Sequence, residues 1–97
     1  IFYKGTKWCG RGNAAANFTD LGEKRETDIC CRGHDYCPDT IGSFSSKHGL
    51  FNAGLFTKSH CDCENEFYDC LKNSTDELGS VIGNIYFNVL DFDCFEL

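Results

Sequence analysis

Cysteine and apolar positions recur at helical spacing in three stretches of the chain, and Gly-rich or polar stretches without a period separate them. The first stretch, DICCRGHDYC, sets Cys30 and Cys37 seven residues apart on one helix face. Thr27 or Asp28 is its expected cap and Pro38 follows its end, so the predicted helix runs over about 28–37. In the second stretch, HCDCENEFYDCLK, Cys63 and Cys70 repeat the interval, Ser59 is the expected cap, and the predicted helix covers about 60–72. The third carries Leu78, Val81, Ile82, Ile85 and Val89 on one stripe behind Ser74 or Asp76 as cap. It predicts a helix over about 76–90, which Gly79 and Gly83 weaken. Residues 1–26 are Gly- and Asn-rich and read as loop. Residues 39–59 hold Gly42, Gly49 and Gly54 among Ser, Phe and Leu and suit a loop with a short β-hairpin.

There is no internal repeat, low-complexity stretch or Pro/Ser linker, so one domain over 1–97 is expected. At 97 residues it buries little apolar surface and needs staples, which eight cysteines supply at the density of extracellular domains. Secretion is therefore expected. No apolar run approaches the roughly 20 residues that span a bilayer, and a sequence beginning at Ile1 with no Met is expected to be a mature, processed product. The tripeptides Asn17-Phe18-Thr19 and Asn73-Ser74-Thr75 are glycosylation acceptors that fit a secretory route, and the sequence does not choose between them.

Nine Lys and Arg against fifteen Asp and Glu leave a net charge of −6. That argues against nucleic acid and against electrostatic capture by anionic membranes. Membrane contact would have to come from apolar side chains: Ile1, Phe2 and Tyr3, with Leu78, Val81 and Ile82 as further candidates that equally suit an ordinary core.

Eight cysteines allow 105 pairings. If the first two helices are antiparallel, Cys30 pairs with Cys70 and Cys37 with Cys63; otherwise the two stripes are helical faces whose sulfurs bond elsewhere. With Cys30 at zero and about 100° per residue, His34 lies near +40°, Cys31 near +100° and Asp35 near +140°. With Cys63 at zero, Phe67 lies near +40°, Glu64 near +100° and Glu66 near −60°. In an antiparallel pair positive rotations turn toward one side, so His34 and Glu64 share it and Glu66 does not. Cys31 turns there too. Cys9 is the partner left for it, with Cys61 and Cys94 as the remainder, and that bridge would draw Trp8-Cys9-Gly10-Arg11-Gly12 against His34 and Asp35. Alternate glycines let a loop turn carbonyls inward, and carbonyls with one carboxylate, Asp35, suit a hard cation such as calcium. A His beside such a cation can act as general base toward water, with Glu64 orienting it. Alone, each of these features also has a bland reading, as a structural helical His or an ordinary Gly turn. His48 and His60 are expected to be structural or surface residues, and a zinc site at His60, Cys61 and Cys63 is the weaker alternative.

The segments WCGRGN, TDICCRGHDYCPD, CDCENEFYDCLKN and IYFNV together closely resemble the group III secreted phospholipases A2 of bee and scorpion venoms, over essentially the whole chain. The resemblance implies a mainly α, small disulfide-rich fold: antiparallel helices bridged by disulfides, an N-terminal calcium-binding loop over about 7–13 and a short β-hairpin. It implies Ca2+-dependent hydrolysis of the sn-2 ester of glycerophospholipids at a membrane surface, by a monomeric venom component. It assigns the metal ligands to the carbonyls of Trp8, Gly10 and Gly12 and the carboxylate of Asp35, the base to His34, and a supporting tyrosine to Tyr86. Its bridges fall on 9–31, 30–70, 37–63 and 61–94. One departure stands out: the bee-type pattern has Asp behind the base, and Glu64 adds about 1.5 Å of reach. The alternative expectation is a toxin-like binding module on this scaffold with weak or no catalysis, engaging a receptor or channel. A purely structural disulfide domain would leave the pairing of His34 with Asp35 unexplained.

Overall fold

The computed structural model of the chain describes residues 3–10, 12–89 and 93–97, at residue 89 the backbone alone. In chain order the elements are helix α1 (Arg25–Asp35), strands β1 (Thr40–Ile41), β2 (Ser45–Lys47), β3 (Leu50–Asn52) and β4 (Lys58–His60), helices α2 (Cys61–Lys72) and α3 (Glu77–Gly83), a π-helical segment (Asn84–Val89) and strand β5 (Cys94–Phe95). Bridges Cys30–Cys70 and Cys37–Cys63 link the middle of α1 to the last turn of α2 and a point two residues past α1 to the first turn of α2, so the two helices run antiparallel. Cys9–Cys31 ties the N-terminal loop to α1, and Cys61–Cys94 ties α2 to β5. These four pairings are those the resemblance implied. The sulfurs of Cys61 and Cys63 are therefore unavailable to zinc, and the nitrogen Nδ1 of His60 accepts the Asp62 amide at 3.0 Å.

The core gathers Trp8, Cys9, Cys30, Cys31, Phe67, Leu71 and Ile82. Three of these seven are half-cystines, so the staples themselves provide much of the apolar interior that a short chain lacks. Ile82 is 4% exposed and belongs to this core, with Leu78 packed against it, which corrects the expectation that Ile82 faces a membrane; Val81 is the exposed member of the stripe. Ile1 and Phe2 lie outside the described residues.

Two predicted caps move. Helix α1 begins at Arg25, a turn earlier than expected, with Thr27 and Asp28 inside it rather than capping it. Lys24 precedes it without a side-chain cap; instead Asp76, from the connection between α2 and α3, accepts the Thr27 amide at 3.1 Å and the Thr27 hydroxyl. Asp76 is thus spent on α1 and makes no side-chain cap on α3, at whose start it sits. Helix α2 is capped by His60, not Ser59. A single helix over 76–90 is also corrected: α-helical geometry stops at Gly83 and the wider π turn takes over. Gly79 is explained by crowding. A Cβ there would sit 2.7 Å from the Ser74 Cβ and 2.8 Å from the Leu71 carbonyl oxygen, so only glycine lets α3 approach the end of α2.

The segment between α1 and α2 carries the expected hairpin, β2 with β3 in antiparallel register around His48-Gly49, whose φ values of 57° and 76° suit a two-residue turn. A second sheet in the order β1-β4-β5 closes the base of α2, with β4 and β5 parallel. Among the described residues no helix is long and apolar enough to cross a membrane.

The Asp76 contact generates a stability prediction. Partial burial pushes its carboxyl upward, but the hydrogen bonds from the Thr27 hydroxyl and amide outweigh this and hold it below the usual carboxylate range. Asp76→Ala should cost about 1 kcal/mol in chemical denaturation at neutral pH, the usual worth of a helix N-terminal acceptor. A folded-state pKa below the unfolded one, which is about 3.9, makes the contribution complete above that value and lost as pH falls through the folded pKa. The gap between variant and parent should therefore close in acid, and a gap unchanged there would refute the assignment.

Candidate active site

His34 lies on the last turn of α1 and Glu64 on the first turn of α2, and the antiparallel pairing brings them together as the helical rotation predicted. The imidazole Nε2 is 2.7 Å from Glu64 Oε1. Glu66, on the other side of α2, is exposed. Glu64 itself is 5% exposed, and its extra methylene leaves it within hydrogen-bond distance of the imidazole. A carboxylate oxygen can only accept, so Nε2 carries the proton and the neutral ring keeps its lone pair on Nδ1. No hydrogen bond to Nδ1 is found among the described residues.

Aromatic rings hold the imidazole in place. Phe67, one turn beyond Glu64 on α2, stacks on it with centroids 4.1 Å apart and planes at 17°. Tyr86 from the π-helical segment meets it edge-on at 5.5 Å, and its hydroxyl lies 3.3 Å from Glu64 Oε1 and 3.4 Å from His34 Nε2. Burial raises the Tyr86 pKa far above its ordinary value, and the neighbouring Glu64 charge adds to the rise, so this hydroxyl stays a donor. The Tyr86 hydroxyl contacts the same oxygen as His34. The far oxygen is not reached by it: among the described residues Glu64 Oε2 is buried without a partner.

His34 and Asp35 open onto a cavity of about 610 Å³ that is also lined by Trp8, Gly10, Gly12, Phe67, Ile82, Ile85 and Tyr86. Desolvation raises the Asp35 carboxyl to about 6, the adjacent His34 works against the rise, and Asp28 adds to it. Asp35 has no hydrogen bond or ion pair among the described residues. Arg11, between the two glycines, lies outside them.

Asp28 organises the loop that faces Asp35. Fully buried on the first turn of α1, its carboxylate accepts the amides of Lys7 at 3.0 Å, Trp8 at 2.8 Å and Gly22 at 2.8 Å. The Trp8 indole donates to the Asp20 carbonyl at 2.9 Å, and the Ala14 amide to the Lys7 carbonyl at 2.7 Å, closing the loop on itself. Gly12 has φ +74° with open space where a side chain would begin, so its backbone conformation calls for glycine.

Sequence reasoning took Asp28 only as a helix cap and missed its role in the loop. The segment after the hairpin was missed as well: Ser43, Leu55, Phe56 and Thr57 line the cavity, with Leu55 78% and Phe56 59% exposed. Phe67 carried a signal, since its rotation near +40° on α2 matches that of His34 on α1. His48 pairs with Asp39 at 2.9 Å on the surface, away from the cavity lining.

A family model described as phospholipase A2 matches residues 2–97. A phospholipase A2 of Apis dorsata is 50% identical over 98 residues, covering 100% of this chain and 73% of that protein. One of Apis mellifera is 49% identical over 98 residues, covering 100% of this chain and 59% of its own. An acidic phospholipase A2 of Heloderma suspectum is 50% identical over 93 residues, covering 96% of this chain and 66% of its own. With a family model matched over nearly its full length and relatives at half identity, the chain belongs to the phospholipase A2 family.

Proposed function

We propose that this chain is a secreted, calcium-dependent phospholipase A2 that cleaves the sn-2 ester of glycerophospholipids at a membrane surface, as a venom component. The observation that carries the reading is the 2.7 Å contact of His34 Nε2 with buried Glu64, beneath a cavity shared with Asp35 and the glycine loop. Family membership supports the reaction class. Secretion is supported by eight cysteines all engaged in bridges.

The donors fit calcium: the carbonyls of Trp8, Gly10 and Gly12 and the Asp35 carboxylate are hard oxygen ligands, and a carboxyl raised chiefly by burial gains from a cation that neutralises its charge. A calcium ion held by these residues would supply the positive charge that polarises the ester carbonyl and stabilises the developing oxyanion. His34 takes the proton of the attacking water on Nδ1 and later delivers it to the leaving alkoxide. Glu64 holds Nε2 and stabilises the imidazolium between those steps, and Tyr86 donates to the same carboxylate oxygen. The wall of Phe67, Ile82 and Ile85 accepts an acyl chain and excludes water. In the rival reading, a binding module without catalysis, a glutamate in place of aspartate would be a mark of decay; a buried Glu64 bonded to His34 favours the enzyme.

Fatty-acid release from mixed lipid vesicles, with and without EDTA, is the test. Activity should vanish on chelation and return with calcium. Asp35→Asn should weaken calcium binding by calorimetry by about tenfold or more, since it removes the one carboxylate among the proposed ligands. Near-ultraviolet circular dichroism should stay unchanged, because disulfides worth about 2–4 kcal/mol each hold the helices. An unaltered affinity would refute the Asp35 assignment.

His34→Gln should lower turnover by about 10²- to 10⁴-fold, the range of a lost general base. Glu64→Gln should lower it by only about tenfold, since the amide oxygen can still accept from Nε2 and the loss is near 1.4 kcal/mol. Wild-type rates in His34→Gln would end the base assignment.

Leu55 and Phe56 reach both the cavity and solvent, and with the exposed Phe44 and Phe51 of the hairpin they suit insertion into a bilayer. Ile1 and Phe2 remain proposed contacts. Net charge −6 leaves the apolar term in control. Replacing Leu55 and Phe56 together by Ala should weaken vesicle partition by about tenfold or more, at about 1.5–3 kcal/mol per fully buried large side chain. Wild-type binding should change little between low and high salt; a steep loss would point instead to Lys4, Lys7 and Arg11.

A further inference from the structure

Both glycosylation tripeptides sit at exposed asparagines, so exposure does not separate them. Their amide nitrogens do. In Asn17-Phe18-Thr19 the Asn17 Oδ1 accepts the Thr19 hydroxyl at 2.8 Å and the Thr19 amide at 3.1 Å, while Nδ2 has no partner among the described residues. The Asp20 amide donates to the Asn17 carbonyl at 3.1 Å, so the hydrogen bonds around Asn17 form a turn of four residues, while the middle residue Phe18 is held by α1, with Arg32 donating to its carbonyl at 2.9 Å. Residues 16–19 are all exposed.

Asn73 is occupied. Its Nδ2, the atom that would carry a sugar, donates to the Asp69 carbonyl at 2.8 Å, the same oxygen that accepts the Asn73 backbone amide at 3.0 Å at the end of α2. The following Ser74 is packed between Gly79 and the Thr27 hydroxyl. No hydrogen bond joins Thr75 to Asn73 among the described residues.

We propose that Asn17 is the N-glycosylation site of this protein and that Asn73 is left unmodified. The inference rests on the secretory route proposed above. In the transfer, Asn17 Nδ2 forms a bond to the anomeric carbon of a sugar carried on a lipid diphosphate. The anomeric C–O bond breaks, the lipid diphosphate leaves with the bonding pair, and the amide gives one proton to the transferase. Hydrogen bonds from Thr19 into Oδ1 draw charge toward the oxygen and make that proton easier to lose. At Asn73 the same reaction would first have to strip the amide from the end of α2 and pull Ser74 out of its packing.

The test is expression of the full chain behind a host signal peptide in a eukaryotic secretory host, followed by mass mapping with an amidase that converts glycan-bearing Asn to Asp. Wild type and N73Q should each carry one glycan at Asn17, and N17Q and T19A none. N17Q should keep the wild-type rate of fatty-acid release, since the Asn17 side chain touches only its own turn. Carbohydrate at Asn73, or secreted wild type without carbohydrate at Asn17, overturns the proposal. The host signal separates this outcome from the route itself: unglycosylated protein from its natural source, beside glycosylated recombinant protein, would refute natural passage through the secretory route and leave the choice of site standing.

Discussion

Bridges Cys30–Cys70 and Cys37–Cys63 set α1 and α2 antiparallel at fixed height and rotation, and the arrangement of the site depends on that constraint. A slip of one helical residue, about 100° of rotation, would carry Glu64 away from the imidazole. The interior is too small to impose such register by apolar packing alone, since three of its seven central residues are themselves half-cystines. Covalent register thus does here what a larger core does elsewhere, and it leaves α1 free to present His34 and Asp35 on a face that opens to a cavity.

Within that frame the imidazole is oriented from three directions. Glu64 fixes which nitrogen carries the proton, Phe67 fixes the ring plane, and Tyr86 closes the edge. Tyr86 comes from the π-helical segment, whose wider turn changes the direction of side chains relative to α3. The longer arm of Glu64 reaches the imidazole with one oxygen and leaves the other buried and unpaired among the described residues, the structural trace of a glutamate at this position.

Two carboxylates on or against the first turn of α1 connect distant parts of the chain. Asp28 collects amides from both ends of the N-terminal loop, and Asp76 supplies from 49 positions away the acceptor that α1 does not find locally. Both exploit the same physics: backbone N–H groups that have no partner of their own favour a negative charge nearby. Asp28 thereby couples the loop holding Trp8 to the helix holding His34 and Asp35.

The sequence alone determined the helix faces, the side shared by His34 and Glu64, and the tethering of a glycine loop beside Asp35, because these follow from helical periodicity and from spacing along one chain. The hairpin was legible for the same local reason, in glycines spaced among Ser, Phe and Leu over 39–59. Tertiary structure decided the rest. Thr27 and Asp28 look like caps until Asp76 arrives from elsewhere. Ile82 looks like a surface anchor until α2 covers it. The oxygen that Tyr86 touches depends on where a π turn ends. Asn17 and Asn73 read alike as tripeptides, and the Asp69 carbonyl is what separates them. Each of these turns on a partner distant in sequence or on local backbone geometry, and no residue pattern records which lone pair or amide a folded neighbour will claim.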